Sequence, residues 1–560
     1  MKCFSLIIFL LAGFTCAQHD KEITNLAQEF FEWRAITQPC SGDDIPRVER
    51  PDKWIPDYSP RSVENYQAKY KDFKVKLNSL SKNGWSRSDS IDYLLLHSAI
   101  ERVNWELNVL RLQNINPDFY IQQTLGAVFE LLVIHTPITK SRAKNIILRF
   151  NSIPNTIESA KENLTDPVLP FADIALEHLL NIKERLYAVR DELNKLFPVE
   201  LSAQLNNSVE LAVEALEGYA AWIEVNKNRM LPSFNVGREY YEYFLKNVAL
   251  LPYTPEELLL MGRQEWDRSV AFDVYEKEKN KNVPRLEIFS SGQEQINSQK
   301  AGELAIRKFL EDKNIMSIPS WLNHYNFIML PDYLAPIADI GVNDDLTSET
   351  RLDEDAIRYI VEPSLKLSYF SLATAKDTRP ITIHEGVPGH YFQLAISWAN
   401  ENPIRRRYFD SGSNEGIAFY VEELLLQYGL FDDSLRTREI IYSFMRLRAL
   451  RVDVDINLAV GNYTIEQAGK YLSETVPMDF DTGIHEAGFF SYNPGQAITY
   501  QIGKLQILKL ISDAKVLFGD KFDLKKYHDY MMNNGNVPIA LQRWEYLGLK
   551  DEIEKLWPQN

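Results

Sequence analysis

The 560-residue chain is poor in cysteine, glycine and net positive charge, and each shortage excludes a class of protein. Three cysteines are too few for a disulfide-rich scaffold. Twenty-four glycines are too few for a collagen-like fibre, whereas 45% hydrophobic and 25% charged residues are ordinary for a folded protein. The net charge of −17 would repel nucleic-acid phosphates, and we expect the one basic run, Arg405–Arg407, to be a solvated loop. We therefore expect no nucleic-acid partner.

The N-terminus has the pattern of a secretory signal peptide. An apolar run from Phe4 to Phe14 is followed by small residues up to Ala17 and then by the polar Gln18. We expect cleavage near Ala17/Gln18 and a secreted or periplasmic protein; the alternatives are a buried N-terminal helix or lipid attachment at Cys16. Cleavage would leave Cys40 as the single cysteine, so the mature fold must rest on its core. No later run is long and apolar enough to predict a membrane span.

Most of the remaining chain has helical periodicity. Apolar residues recur at intervals of three and four from Leu96 to Leu110 and again from Val209 to Ile223. Thr254-Pro255-Glu256-Glu257 combines a capping residue, an early proline and a glutamate three residues after the cap, which predicts a helix start. The sequence therefore favours a mainly α fold.

Strand signals are few. The best is Tyr325–Leu330, which is short and rich in aromatic and branched residues. Pro154 and Ser290–Gln299 are interpreted as loops. We expect one domain over residues 18–560 after a signal peptide at 1–17, with a helical lobe at about 18–235 and a catalytic part at about 236–560. A small β element would lie beside the active-site cleft.

The most informative motif is Ile383-His384-Glu385-Gly386-Val387-Pro388-Gly389-His390. In the common zinc-protease pattern the two histidines are four residues apart and share one helix face. Here they are six apart, which on a regular helix leaves the rings about 120° apart. Pro388 and Gly389 can break the helix between them and so allow both rings to face one metal. The alternative is two unrelated polar residues in a turn.

A second motif supplies the missing carboxylate. Glu415 opens an apolar helix, and Glu422 follows seven residues later on the same face. His384, His390 and one glutamate would form a three-ligand zinc site with an open position for water, and Glu385 would be the general base. The two glutamates lie about 10 Å apart along the axis, so both cannot easily bind one ion. Alternatively, Glu415 is only an acidic residue at a helix start.

A third motif runs from Tyr492 to Lys504. Pro494-Gly495 followed by a helical pattern indicates a junction between a loop and a helix. Tyr500 on that helix could donate its hydroxyl to a developing oxyanion. The alternative is an aromatic side chain packed in the core.

Taken in this order, the motifs resemble the DUF885 family, which is grouped with the zincin-like metallopeptidases of the gluzincin type. The similarity extends from about residue 60 to the end of the chain. It implies a mainly helical, zincin-like peptidase in which His384, His390 and Glu415 match the metal positions and Glu385 matches the catalytic glutamate. It thus favours Glu415 over Glu422 as the ligand, and we expect Glu422 to orient a neighbouring group.

The chain departs from the family pattern at two places. Ile417 stands where family members usually have tryptophan, and Asp455–Ala459 stands where they often have a string that ends in histidine. His485 could replace that histidine in space, or could be a surface residue.

The sequence predicts a secreted or periplasmic zinc-dependent peptidase that hydrolyses short peptides. The cofactor is Zn²⁺, because two histidines and one carboxylate suit zinc best. Two alternatives are a zinc amidase or esterase acting on non-peptide substrates, and a metal-binding pseudoenzyme that captures peptides. The intact Glu385 argues against a pseudoenzyme, whereas the missing family histidine argues for it.

Overall fold

The computed structural model describes residues 21–42 and 47–557. The expected signal peptide at 1–17 therefore lies outside the described residues. The helices of the N-terminal part are α1 (21–37), α2 (Pro60–Ser79), α3 (Arg87–Asn104), α4 (Leu112–Ile115), α5 (Pro117–Ile121), α6 (Ala127–Leu132), α7 (Lys140–Asn163), α8 (Leu169–His178), α9 (Ile182–Leu196), α10 (Ser202–Asn226) and α11 (Gly237–Asn247).

The C-terminal part contains all strands of the described residues together with further helices. Its elements are α12 (Pro255–Lys279), α13 (Gly292–Asp312), β1 (Tyr325–Met329), β2 (Asp344–Asp345), β3 (Ala356–Ile360), α14 (Tyr369–Thr374), α15 (Arg379–Ile381), α16 (His390–Trp398), α17 (Pro403–Arg407), α18 (Ser411–Gln427), α19 (Leu435–Ala459), α20 (Ile465–Thr475), α21 (Phe480–Tyr492), α22 (Thr499–Phe518), α23 (Leu524–Asn533), α24 (Ile539–Leu547) and α25 (Asp551–Leu556). The prediction of a mainly α fold is confirmed.

Short π-helical and 3-10 turns interrupt or extend several helices. The π-helical turns are Trp105–Leu110, Gln122–Gly126 and Thr382–Gly386, and the 3-10 turns are Val199–Leu201, Lys227–Arg229, Ala335–Ile337 and Gly519–Lys521. A π-helical turn shifts the faces of the residues that follow it, and such turns are frequent at functional sites. The turn Thr382–Gly386 carries the first histidine of the predicted site.

The predicted helix start at Thr254 is confirmed in detail. The Thr254 side chain accepts from the backbone N–H of Glu257, while the Glu257 carboxylate accepts from the N–H of Thr254. Pro255 occupies the first helical position, where it has no hydrogen bond to lose. The helix that follows, α12, packs along α19.

The sheet is small and lies beside the histidine motif. Its strand order is β1-β3-β2, with β1 parallel and β2 antiparallel to β3. The register places Asp344 opposite Arg358, so these charges meet across the sheet. The predicted strand at Tyr325–Leu330 is confirmed as β1, and the buried Tyr325 packs so closely on Gly386 that a Cβ there would overlap its ring.

Two large groups of buried side chains form the core. One joins α5–α10 to Ile337 and Tyr359 near the sheet, and the other joins β1, α16, α18 and α23. The predicted lobe boundary near residue 235 stays a prediction. Among the described helices, none has the length and apolar character needed to cross a bilayer.

Two loop predictions were wrong. Pro154 lies inside α7, because the helix buries Phe150 and Ile157 on either side of it and packs along α10. Ser290–Gln299 contains the start of α13, where the Ser291 side chain accepts from the N–H of Glu294 and caps the helix.

The expectation for Arg405–Arg407 was also wrong. These residues end the short helix α17, and Arg405 is only 7% exposed. Its guanidinium pairs with Asp92 at 3.1 Å and Glu545 at 2.8 Å. Burial of a charged side chain is favourable here because the carboxylates replace the lost water.

Candidate metal centre

Three side chains from three elements converge in the interior of the protein. His384 lies on the π-helical turn after α15, His390 is the first residue of α16, and Glu415 lies on the second turn of α18. All three are buried, and they can each offer one ligand atom within 4.8 Å of the others. The sequence motifs that are 25 residues apart thus form one cluster.

The helix is interrupted between the two histidines, as their spacing of six residues requires. The π-helical turn ends at Gly386, and α16 begins at His390. A side chain at Gly389 would overlap the backbone carbonyls of Ile383 and His384, so only glycine allows this close return of the chain. The two imidazole rings come to 4.8 Å between centroids, at 81° to each other.

Glu415 reaches the space between the two rings. Its Oε2 atom lies 3.2 Å from Nε2 of His390 and 3.6 Å from Nε2 of His384. The helix that carries it crosses α22 at two glycines, where a Cβ on Gly416 would overlap the backbone of Gly503. This close crossing brings the third sequence motif to the same place.

Glu422 lies on the other side of His384. One carboxylate oxygen is 2.6 Å from Nδ1 of His384, and Arg448 pairs with the same carboxylate at 3.0 Å. Nδ1 of His384 is closer to this carboxylate than to the guanidinium of Arg448, which lies 3.2 Å from it, so a proton on Nδ1 is favoured and Nε2 is the nitrogen that can bind a metal. Glu422 thus contacts His384 on the side opposite Glu415, and its predicted role in orienting a neighbouring group stays a prediction.

The electrostatics of the cluster favour a cation between its three members. Burial and Arg448 lower the pKa of His384, but Glu415 and Glu422 outweigh them and raise it to about 9. Burial would raise the pKa of Glu415, but His390 and His384 hold it well below its ordinary value. Since buried charges need a partner, a carboxylate facing two imidazole nitrogens fits a shared metal ion.

Glu385 follows His384 on the same turn and contacts Arg358. Its side chain is 13% exposed, and its Oε1 atom is 3.6 Å from a guanidinium nitrogen of Arg358. The other oxygen, Oε2, is buried without a hydrogen-bond partner. Asp344 fixes Arg358 at 2.7 Å and accepts a hydrogen bond from the Tyr325 hydroxyl. Glu385 thus has one oriented oxygen and one oxygen free to accept a proton.

Tyr500 lies against the cluster. Its ring is stacked on His384, with centroids 6.2 Å apart and 12° between the planes. The guanidinium carbons of Arg451 and Arg448 are 5.0 Å and 5.5 Å from the Tyr500 ring centroid. The predicted catalytic tyrosine is therefore next to the predicted ligands rather than in a remote part of the core.

Asp455 holds the loop that precedes Tyr500. Its buried carboxylate accepts from the backbone N–H groups of Gly495 at 2.8 Å and Ala497 at 2.7 Å, and from the Tyr241 hydroxyl at 3.1 Å. These bonds fix the start of α22 relative to α19. Burial raises the pKa of Asp455 to about 7, against the lowering effect of the backbone donors.

Comparison with protein families identifies the chain. The model of DUF885, described as a bacterial protein of unknown function, matches residues 42–272 and 358–544. The chain belongs to the DUF885 family. Both matched segments contribute to the region described above, and the second contains His384, Glu385, His390, Glu415 and Tyr500.

Two solved structures share the fold of this DUF885 protein. One is a putative lipoprotein of unknown function from Shewanella oneidensis, with a TM-score of 0.71 and 15% identity over 95% of this chain and 99% of the other. The second is a putative lipoprotein from Colwellia psychrerythraea, with a TM-score of 0.76 and 17% identity over 95% and 98%. The comparison with curated proteins gave no match.

The structure shows where the residues that depart from the DUF885 pattern lie. Ile417 lies on α18 itself, two residues after Glu415, and is fully buried in the core. His485, the proposed replacement for the missing histidine, lies on α21 with 56% of its side chain exposed and pairs with Glu177 at 3.1 Å. It is a surface residue and does not join the cluster.

Sequence reasoning missed the residues that support the DUF885 motifs. No role at the site was predicted for Arg448, Arg358 or Asp344. Arg448 lies 64 residues after His384, and the Arg358–Asp344 pair forms only because β2 and β3 are neighbours. The one available signal was the pair of adjacent acidic residues Asp344 and Asp345, and this signal is weak because acidic residues are frequent in the surrounding chain.

Proposed function

We propose that this protein is an exported zinc-dependent peptidase that hydrolyses short peptides. The observation that supports this most strongly is the convergence of His384, His390 and Glu415 on one buried point. Two imidazoles and one carboxylate are the protein ligands of a well-known class of catalytic zinc sites, which keep a fourth position for water. The donor types suit zinc better than calcium or magnesium, which prefer oxygen ligands throughout.

The residues around the three proposed ligands also suit a catalytic site. Zinc bound here would supply a Lewis acid that polarises a peptide carbonyl and makes water more acidic. Glu422 would keep Nε2 of His384 available for the metal, because it holds the proton on the opposite nitrogen. The charged Arg448 beside Glu422 balances this additional buried carboxylate.

Glu385 is the general base in this proposal. Its unpaired oxygen would accept a proton from the attacking water and deliver it to the leaving amine. Arg358 would hold the other oxygen and orient the carboxylate. Tyr500, stacked on His384, would donate its hydroxyl to the negative charge that develops on the carbonyl oxygen.

The substitution Glu385→Gln tests the role of the base. It keeps the size of the side chain and removes its basicity, so we expect a full zinc content and loss of peptide hydrolysis by about 100-fold or more. Zinc is measured by mass spectrometry of the purified protein, and hydrolysis with a peptide mixture. Glu401→Gln, at an exposed position, is the matched control and should remain active. Substantial turnover by Glu385→Gln would exclude Glu385 as the base.

We further propose that the chain is exported and cut near Ala17/Gln18. The apolar run that precedes this point supports it, and the two solved structures with the same fold are described as putative lipoproteins. Attachment of a lipid to Cys16 is the alternative that those descriptions raise. The intact mass of the exported protein distinguishes the two, since a lipidated chain would begin at Cys16 and carry the mass of its acyl groups.

A further inference from the structure

A cavity of about 500 Å³ lies next to the first turn of α18, the helix that carries Glu415. This volume is within the range of roughly 300–1,000 Å³ that is typical of sites for small ligands. Its wall comes from distant parts of the chain, among them α1, the turn after α3, the segment between α17 and α18, and the loop before α22. Phe30, Trp105, Phe119 and Phe244 give this wall aromatic surface.

Two features connect the wall of this cavity to the proposed catalytic residues. Ser411, on its wall, is one helical turn before Glu415 on α18, a distance of about 6 Å along the axis. On another side, Arg47 lines the cavity and donates to the backbone oxygen of Asp344, whose carboxylate holds Arg358 beside Glu385. None of the proposed ligands lines the cavity, so a peptide held in it would extend past Ser411 towards Glu415.

Arg102 differs from the other charged residues of the cavity wall in the contacts of its side chain. It lies on the last turn of α3 and is half-buried, and its guanidinium has no hydrogen bond or ion pair among the described residues. The other charged side chains on this wall are all engaged. The main pairs are Arg34 with Glu106, Glu349 with Arg406 and Arg407, and Asp118 with His178.

A carboxylate near Arg102 is already in use. Asp410 lines the adjoining small cavity together with Arg102, and the positive charge of Arg102 acts to lower the pKa of Asp410, but no ion pair joins the two side chains. Asp410 caps α18 instead, where its carboxylate accepts from the N–H of Ser413 at 2.7 Å. A guanidinium has five donors, and leaving them unused in a half-buried position is costly. The arginine is thus available for an anion that enters the cavity.

We propose that Arg102 binds a carboxylate of the peptide substrate, which lies in this cavity with its scissile bond towards Glu415. This inference rests on the proposed peptidase function, which it deepens by naming a substrate class: short peptides with a free carboxylate at the C-terminus or on an acidic side chain. A planar guanidinium binds a carboxylate through two parallel hydrogen bonds, which gives both affinity and orientation. The aromatic wall would hold the apolar side chains of the same peptide.

Paired peptides and substitutions of Arg102 test this inference. Hydrolysis is measured for pentapeptides with a free C-terminus and for the same peptides as C-terminal amides, and separately for pairs that differ by Glu and Gln. We expect the wild-type protein to prefer the carboxylate form in one of the two sets by about tenfold or more in kcat/KM. Arg102→Gln should abolish that preference, and Arg102→Lys should keep part of it.

Arg407→Gln is the matched control. It removes one positive charge from the same cavity wall, but from a guanidinium that is already paired with Glu349. We expect the control to retain the preference for the carboxylate. If Arg102→Gln instead lowers kcat/KM equally for the acid and the amide, Arg102 only balances Asp410 and the inference is wrong. The inference is also wrong if the wild-type protein shows no preference in either set.

Measurements of peptide binding distinguish a failure of this inference from a failure of the proposed function. The same acid and amide peptides are titrated calorimetrically into zinc-loaded Glu385→Gln, with and without Arg102→Gln. A preference for the acid that depends on Arg102 would support the cavity assignment even if the wild-type protein hydrolysed neither peptide, in which case only the peptidase proposal fails. Hydrolysis of both peptides without any effect of Arg102 would overturn this inference and leave the peptidase proposal intact.

Discussion

His384 has a different neighbour on each ring nitrogen, and this explains why two glutamates on one helix can serve one histidine. Glu415 faces Nε2 and Glu422 faces Nδ1, although they lie two turns apart on α18. The imidazole spans the distance between them along the helix axis. One carboxylate is therefore suited to bind a metal and the other to orient the ring.

Substitution of the two glutamates should separate these roles. Glu415→Ala removes a direct ligand, whereas Glu422→Ala removes a partner of His384, for which a loss of roughly 10–100-fold in metal affinity is typical. We expect Glu415→Ala to weaken zinc binding well beyond that range. Competition with a chromogenic chelator measures both affinities.

The opposite ranking would contradict the ligand assignment. If the Glu415 variant kept full zinc and the Glu422 variant had none, Glu422 would be the ligand. Because removal of Glu422 leaves Arg448 without its carboxylate, the melting temperature of each variant serves as a control for unfolding. Glu422→Gln retains the side-chain volume and provides a milder second variant.

At the scale of elements, the site depends on a short connection between two helical segments. The chain from Gly386 to Gly389 turns so tightly that His390 starts a new helix next to the preceding turn. An added Cβ at Gly389 would meet backbone carbonyls, which cannot move without displacing His384 itself. The geometry of the ligands is therefore encoded in the backbone as well as in the histidines.

Gly389→Ala should disrupt the metal site. We expect this variant to lose most of its zinc, because the overlap with the carbonyls of Ile383 and His384 shifts the first histidine. The matched control is Gly218→Ala on α10, where nothing lies within 4 Å of the added atom. The control should gain stability by about 0.5–1 kcal/mol, since alanine favours a helix interior over glycine. Zinc content and thermal unfolding check both variants, and normal zinc in Gly389→Ala would refute this account.

Elements with strong local signals could be predicted from the sequence, and those governed by tertiary packing could not. The cap at Thr254 and the strand at Tyr325 depend on neighbouring residues, and both were predicted correctly. Pro154 contradicts its local signal because packing along α10 compensates for the lost hydrogen bond. The start of α13 was missed, although Ser291 and Glu294 have the spacing of a helix cap.

At the scale of the whole molecule, the candidate site was only partly predictable. The histidines, Glu415 and Tyr500 occur in recognisable motifs, so their convergence could be expected from the sequence. The cavity could not, because its wall combines residues from α1 to the loop before α22, over 460 positions apart in the chain. The significance of Arg102 depends on its guanidinium having no hydrogen bond or ion pair among the described residues, and a sequence does not show such an absence.

Metal-dependent digestion of a peptide library tests the central claim most directly. The purified wild-type protein is incubated with a mixture of short peptides, and the products are identified by mass spectrometry before and after treatment with a chelator. We predict cleavage of short peptides that disappears with the chelator and returns when zinc is added. Unchanged cleavage after complete removal of the metal, or no cleavage of any peptide by the zinc-loaded protein, would contradict the proposal.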